Sequence, residues 1–379
     1  MIAGLRPATI AALALALAWG IGGQALLGRI DPALALPTLP LPLLLLAAWQ
    51  RGEARKARLG AAGMALLLLL AAQATLALWL SGRTGWGQLV LIAAAGAVAA
   101  LIADVIVQGC RGAMLRWAAA AVYLLVWFAA GHLALSALYT ERAGARPPSV
   151  VMLTGLPLRW AGQGGMAAMV ARGAAEDPAL TRIEASGPVD LVDSLTDRAV
   201  PAGATLLVAH PRALPAPDMV AIDAFVRGGG RAVILADALS GWPVRYPLGD
   251  PRNPPVTSLL TPMLDHWGVT LGPAPVGERT AQAVDVDGAR LRLFSAGRFE
   301  VLPAGCSALA DRRIAHCTIG AGEAWLVGDA DLLFAPLWRP LVPGAEHLRR
   351  ADTMVWLGAR LRGEPGDSAV VQPLWISST

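Results

Sequence analysis

The sequence predicts an α-helical membrane bundle of about five spans, residues 1–140, followed by an α/β domain with a partly parallel sheet, residues 148–379. Three observations carry this. The 379-residue chain is 55% hydrophobic and only 15% charged, with a mean hydropathy of +0.54, far from soluble or disordered compositions. Long apolar runs are confined to the first 140 residues or so. Charge divides at the same place. Residues 1–147 hold 11 Lys+Arg against 4 Asp+Glu, a net of +7, and residues 148–379 hold 20 against 23, a net of −3. A basic excess confined to the apolar half suits basic loops beside a bilayer and argues against nucleic acid as a partner.

Five stretches approach the roughly 20 apolar residues that a spanning helix needs. They run from Pro7 to Leu27, Ala33 to Trp49, Gly60 to Leu80, Gln88 to Val107 and Trp117 to Leu138. The second carries Pro37, Pro40 and Pro42, and either spans with help from neighbours or re-enters. The first also fits a cleaved signal sequence with Arg6 as its basic start. Arg6, Arg51, Arg55, Lys56, Arg58, Arg111 and Arg116 fall on one side, and Arg29, Arg83, Arg142 and Arg146 on the other. Seven against four places the first group in the cytoplasm and the C-terminal domain outside.

Asp104 and His132 are ionisable groups within spans. A proton relay is one use for such groups. Counted from the cytoplasmic ends of their spans, Asp104 lies about 6 Å deep and His132 about 22 Å deep. That difference favours Asp104 reaching toward Arg111 or Arg116, and a neutral His132 hydrogen-bonded within the bundle.

From Pro147 onward, short apolar runs alternate with helical patterns. Ser149–Thr154, Thr205–Ala209 and Arg231–Ala236 read as buried strands, and Leu180–Ala185 as a weaker one. Pro217 to Arg227 reads as a helix with Met219, Ile222 and Val226 on one face, closed by Gly228, Gly229 and Gly230. Strand, helix, strand makes a right-handed crossover and a parallel pair. The glycines follow this helix rather than precede it, so they form no phosphate cradle. Ala283–Val286, Arg290–Phe294, Ser307–Arg312 and Ala324–Val327 read as antiparallel strands, and Ala345–Arg362 as a helix. A shorter helix is expected near Ser258–Trp267, and the tail Val370–Ile376 is an edge strand or a trailing segment.

The stretch Leu206–Trp242 resembles the extracytoplasmic domain of auxiliary components of ABC transport systems, the group that includes the gliding-motility Gld-type proteins. The features are Pro211, the helix Asp218–Arg227, Gly228–Gly229 and Asp237. Gly320–Asp331 and the helix ending Val355-Trp356-Leu357 are similar too. The family commonly caps that helix with Ser or Thr; here Ala216 stands between Pro215 and Pro217. The resemblance implies a class I glutamine-amidotransferase-like fold without its chemistry. It also implies a non-enzymatic bacterial inner-membrane subunit with a periplasmic domain that binds a ligand or partner. Its companions would be an ABC permease and a separate ATPase, because the sequence has no Walker P-loop.

No Cys occupies the turn after Arg231–Ala236, and Ser240 lacks a nucleophile elbow. A membrane-tethered hydrolase using Ser240 and His210 is the enzymatic alternative. His210, Asp237 and Asp329 each follow a strand, and would converge if those strands are neighbours. The simpler reading has the aspartates fixing turns, with no metal and no cofactor. Trp242, Tyr246, Trp267 and the Asp250/Arg252 pair form either a binding lip or a Pro-stiffened loop. Cys306 and Cys317 flank a hairpin; with Asp311-Arg312 as its turn, facing residues sum to 623 and the two cysteines pair as a disulfide. A longer turn would shift that register.

Overall fold

The computed structural model describes residues 2–110, 112–141, 147–159, 176–247, 249–250, 252–364 and 369–377. Arg111, Arg142, Arg146 and Pro251 lie outside these. The chain divides into two compact units: residues 1–140 with 340–350 and 369–379, and residues 141–339 with 351–368. The two C-terminal segments in the helical unit had no signal in the sequence.

The helical unit contains α1 (Ile2–Gly20), α2 (Gln24–Leu27), α3 (Pro40–Trp49), α4 (Arg55–Ser81), α5 (Trp86–Gly109) and α6 (Ala113–Tyr139). Among the described residues, four segments are long and apolar enough to cross a membrane: Leu5–Leu27, Arg55–Ser81, Trp86–Gly109 and Ala113–Tyr139. A fifth arises if the 3₁₀ segment Pro32–Thr38 and α3, bent by 59°, count as one span. The prolines sit at and around this break, where ring geometry removes helical hydrogen bonds. Trp127 Nε1 donates to the Leu36 carbonyl at 2.9 Å, restoring one partner. The two ends of the bent pair reach opposite ends of the bundle. Asp31, just before it, accepts from the Tyr139 hydroxyl at the C-terminus of α6. Trp49 lies under the Arg6 guanidinium at 5.4 Å, near the start of α1.

Asp104 pairs with Arg58 of α4, at 2.6 and 3.1 Å, rather than with Arg116. The helices α4 and α5 pack side by side, so a guanidinium on the neighbouring helix is nearer than one along the chain. His132 Nδ1 lies 2.8 Å from Nε2 of His347, in the returning segment. Burial, His132 and Arg29 push the His347 imidazole down to about 3, which keeps it neutral.

Arg29 and Asp31 form a fully buried ion pair at 2.7 Å. The guanidinium also donates to the His347 carbonyl at 2.7 Å and lies between the rings of Tyr139 and Trp375. Asp31 accepts from Ala33 N as well, and its carbonyl accepts from Gln24 Nε2. The tail is therefore no edge strand of the α/β sheet: Trp375 makes an isolated antiparallel bridge with Arg29.

The α/β unit centres on a seven-stranded sheet. Its strands are β1 (Val150–Thr154), β2 (Val189–Val192), β3 (Thr205–Ala209), β4 (Arg231–Leu235), β9 (Cys306–Leu309), β10 (Ile314–Ile319) and β11 (Gly322–Val327), in the order β2-β1-β3-β4-β11-β10-β9. The first five in that order pair in parallel; β10 pairs antiparallel to β11, and β9 antiparallel to β10. Two small sheets pair β5 (Thr270–Leu271) with β8 (Phe299–Val301), and β6 (Gln282–Val286) with β7 (Ala289–Leu293).

Strand periodicity splits the core cleanly. Met152, Leu207, Val233, Leu235 and Val327 face one side, against α7 (Pro178–Glu184) and α11 (Thr353–Arg362). Val151, Leu153, Val208, Ile234 and Leu326 face the other, against α8 (Ala216–Arg227) and α9 (Thr261–His266). Sheets buried on both faces read as unbroken apolar runs, which is why these strands were legible.

Two elements differ from expectation. Leu180–Ala185 is not a strand but most of α7. Asp177 caps that helix by accepting from Ala179 N at 2.9 Å, and Pro178 fits its first turn. Ala345–Arg362 is not one helix. A 3₁₀ turn, Glu346–Leu348, precedes extended backbone at Arg349 before α11 begins. The break coincides with the boundary between units at residues 350 and 351.

In the β9–β10 hairpin, Leu309 faces Ile314 and Cys306 faces Cys317, and the two sulfurs are bonded. Asp311 and Arg312 have φ of +53° and +62°, the left-handed pair of a two-residue hairpin turn usually given to Asn and Gly. Replacing both cysteines by serine should lower stability by about 2–3 kcal/mol, the loop-closure value for so short a loop. Thermal unfolding of the full chain with and without reductant measures it; identical curves would show that the bond contributes nothing. In the helical unit, Asp31→Ala leaves Arg29 buried without its anion and should cost about 3–5 kcal/mol. Thermal unfolding in detergent reads this, with Arg29→Met/Asp31→Leu expected to recover much of the loss.

Candidate functional site

Strands β1, β3, β4 and β11 run parallel and end at nearly one level. Their following loops gather at one edge of the sheet. The order β2-β1-β3 reverses direction at β1/β3, the switch point where open α/β sheets leave a crevice for ligands. A cavity of about 630 Å³ lies there. Thr154–Pro157 after β1 and Pro211–Pro215 after β3 form its floor, and Arg245, Tyr246, Arg252 and Asn253 form a wall. The loops touch closely at Gly155, whose amide donates to the His210 carbonyl at 3.2 Å. A Cβ on Gly155 would lie 2.8 Å from that oxygen, so the floor admits only glycine in this form.

The wall is stapled internally. Asn253 Oδ1 accepts from the amides of Arg245 and Tyr246, and its Nδ2 donates to the carbonyls of Tyr246 and Pro247. Arg252 pairs with Asp250 at 2.7 Å and stacks over Tyr246 at 3.8 Å. These contacts hold the Asp250 carboxylate down to about 2, the guanidinium hydrogen bond being the largest influence. Asp193, after β2, closes the third side. Its loop is fixed by Asp218 in the first turn of α8, whose Oδ1 accepts from Ser194 Oγ and the amides of Leu195 and Thr196. The N-cap of α8 is Pro215, with no side-chain cap.

Beside the cavity loops lies a second cluster. Asp237 follows β4, Asp329 follows β11, and Asp331 sits two residues further on. One carboxylate oxygen from each lies within 4.8 Å of the others, and all three residues are buried. Burial is the largest force on each. It pushes Asp237 up to about 8 with help from Asp331, and Asp331 to about 6. Asp329 rises well above the usual carboxylate range, with Asp237 and Asp331 adding to the effect of burial.

The residues singled out from sequence divide accordingly. Tyr246 lines the cavity. Asp237 and Asp329 converge because their strands are neighbours. His210 follows the adjacent strand but turns away: its Nε2 lies 2.8 Å from the Pro255 carbonyl, and burial lowers its pKa. Trp242 lies in the core rather than at an exposed lip. It is 5% exposed and packs edge-on against Phe334 in the core. Arg212, Arg245, Asn253 and Asp331 carried no local signal, since only strand order brings them to the edge.

A helical region consistent with a membrane anchor, followed by an α/β domain with a ligand-sized cavity at its switch point, defines the class of protein. Residues 183–288 match the family described as ABC-type uncharacterized transport system. That match supports an auxiliary component of an ABC transport system, and it spans β2 through β6, including much of the cavity wall. No curated protein matches the chain. Similar solved structures include an exo-β-1,4-mannosidase from Opitutaceae bacterium strain TAV5, 10% identical, covering 67% of this chain and 39% of that one, TM-score 0.33. A cold-adapted β-galactosidase from Rahnella sp. R3 is 16% identical, with 59% and 34% covered and TM-score 0.30. The β-galactosidase Gan42B from G. stearothermophilus is 16% identical, with 57% and 31% covered and TM-score 0.32. The chain thus spans about a third to two fifths of the length of these enzymes, and similarity at this level carries no argument about activity.

Asp218→Ala should release the loop at Asp193 and leave the amides of Leu195 and Thr196 without their acceptor. The expected cost is about 2–3 kcal/mol, the range for a charged hydrogen-bond hub. Chemical denaturation of the full chain checks it, with Asp218→Asn expected to retain part of the loss as stability.

Proposed function

We propose that this protein is a non-enzymatic auxiliary subunit of an ABC-type transport system in the bacterial inner membrane. Its α/β domain is periplasmic and binds a solute or partner in the cavity beyond β1 and β3. The family match over residues 183–288 carries this reading. The distribution of basic residues supports the orientation. A class I glutamine-amidotransferase-like fold fits a parallel sheet whose turn after β4 offers Asp237 to Ser240 and no cysteine. The permease and the ATPase are separate chains.

The hydrolase alternative has weaker support. Ser240 Oγ lies 3.4 Å from Asp331, and the His210 Nε2 contact goes to Pro255. No hydrogen bond joins Ser240 to His210 among the described residues.

Purification from native membranes in mild detergent should yield a permease and an ATPase with the full chain, identified by mass spectrometry. Recovery of the chain without either, at native expression, would overturn the assignment. A phosphatase fusion after Thr379 should be active and a fluorescent-protein fusion dark; the reverse would move the domain to the cytoplasm.

A further inference from the structure

We propose that Asp237, Asp329 and Asp331 hold one calcium ion behind the strand edge. The argument begins with charge. Three carboxylates lie within reach of one another at 0%, 0% and 2% exposure. Among the described residues, no Lys or Arg pairs with any of the three. Buried anions without counter-charge are costly, and proteins neutralise them with a cation or a proton.

The hydrogen bonds around the cluster are nearly complete. Leu239 N donates to Asp237 Oδ1 at 3.0 Å. Phe294 N and Asp331 N each donate to Asp329 at 2.7 Å. Gly241 N and Ser240 Oγ donate to Asp331. One oxygen is left over: among the described residues, Asp237 Oδ2 is buried and has no hydrogen-bond partner. The Asp237 carboxylate meets the turn that carries the other two, one oxygen of each acid lying within 4.8 Å of the others. A buried carboxylate oxygen without a partner, beside two more carboxylates, is the feature a bound cation satisfies.

Burial selects the ion. Magnesium dehydrates reluctantly and usually keeps several waters, whereas calcium accepts a closed cage of protein oxygens. One oxygen from each carboxylate lies within 4.8 Å of the others in a buried site, which suits calcium. Three carboxylates offer up to six oxygens, the low end of calcium's usual six to eight. Burial on β4 and β11 makes this a structural ion that fixes the loops after both strands, including the start of the cavity wall. The inference is independent of any role in transport, and it revises the expectation of no metal.

The test uses the full chain purified in mild detergent without chelator. Elemental analysis should find about one calcium per chain, as a single closed site requires. EGTA should lower the unfolding temperature by several degrees, and added calcium should restore it more fully than magnesium. Asp237→Asn should lose both the bound calcium and the response to EGTA. Should that variant fail to fold, the stoichiometry and calcium response of the wild-type chain decide alone. Wild-type protein without calcium, and insensitive to EGTA and to added calcium, would overturn the proposal and leave protons as the neutralising species. Calcium retained by a folded Asp237→Asn would overturn it as well.

Discussion

The pairing of β4 with β3 on one side and β11 on the other is the constraint on which the α/β unit depends. Ala209, Leu235 and Val327 lie in one row across the three strands. Both faces of that row are buried, so a slip of one residue would turn every core side chain to the wrong layer. The register is therefore fixed by packing. Once it is fixed, the residues just past the strands emerge together whatever their spacing in sequence. Asp237 and Asp329 are neighbours for this reason, although almost a hundred positions separate them in the chain.

The same register builds the cavity. A parallel sheet that grows from β1 to β2 on one side and to β3 on the other must open where the direction reverses. The loops after β1 and β3 cannot cover that opening, because they are held flat against each other at Gly155. Cover comes instead from the proline-rich segment after β4, whose conformation is set by Asn253 and the Asp250–Arg252–Tyr246 stack. A loop stiffened by its own contacts can present a shaped wall to a ligand without first being ordered by it, which spares the entropic cost of binding. A Pro-stiffened loop and a cavity wall are thus compatible: Trp242 anchors the segment in the core and Tyr246 faces the cavity.

What the sequence made legible follows from where the physical signal is local. Buried parallel strands announce themselves as apolar runs, and β1, β3 and β4 lie where those runs are. The α8 helix shows its apolar stripe and its glycine exit, and the hairpin of β9 and β10 follows from a two-residue turn. The failures are equally local in cause. The Asp177–Pro178 start of a helix is a capping signal that outweighs the strand-like apolar residues after it. Ala345–Arg362 has helical periodicity, but its first part packs in a different unit from its last. Long-range facts had no local trace at all. Nothing near Asp104 in sequence points to Arg58, and nothing near His132 points to His347. The role of Asp331 rests on a strand order that periodicity cannot supply.

Loop charge is the one sequence argument that the structure changes in weight rather than in kind. Counting basic residues assumes that each sits in water beside the bilayer, where it resists translocation. Arg29 does not. It is fully buried against Asp31, so its charge is neutralised inside the fold and contributes nothing at the surface. Without it the sequence count becomes three, Arg83, Arg142 and Arg146, against seven. At the other end, Arg6 stays near Trp49 and Glu53, where the bent pair returns to the start of α1. If the bent segment re-entered, Asp31 and Trp49 would meet the same end of the bundle. They meet opposite ends, Asp31 beside Tyr139 and Trp49 beside Arg6. The alternation of loops that the charge argument needs is thus preserved by the proline-broken segment that most threatened it.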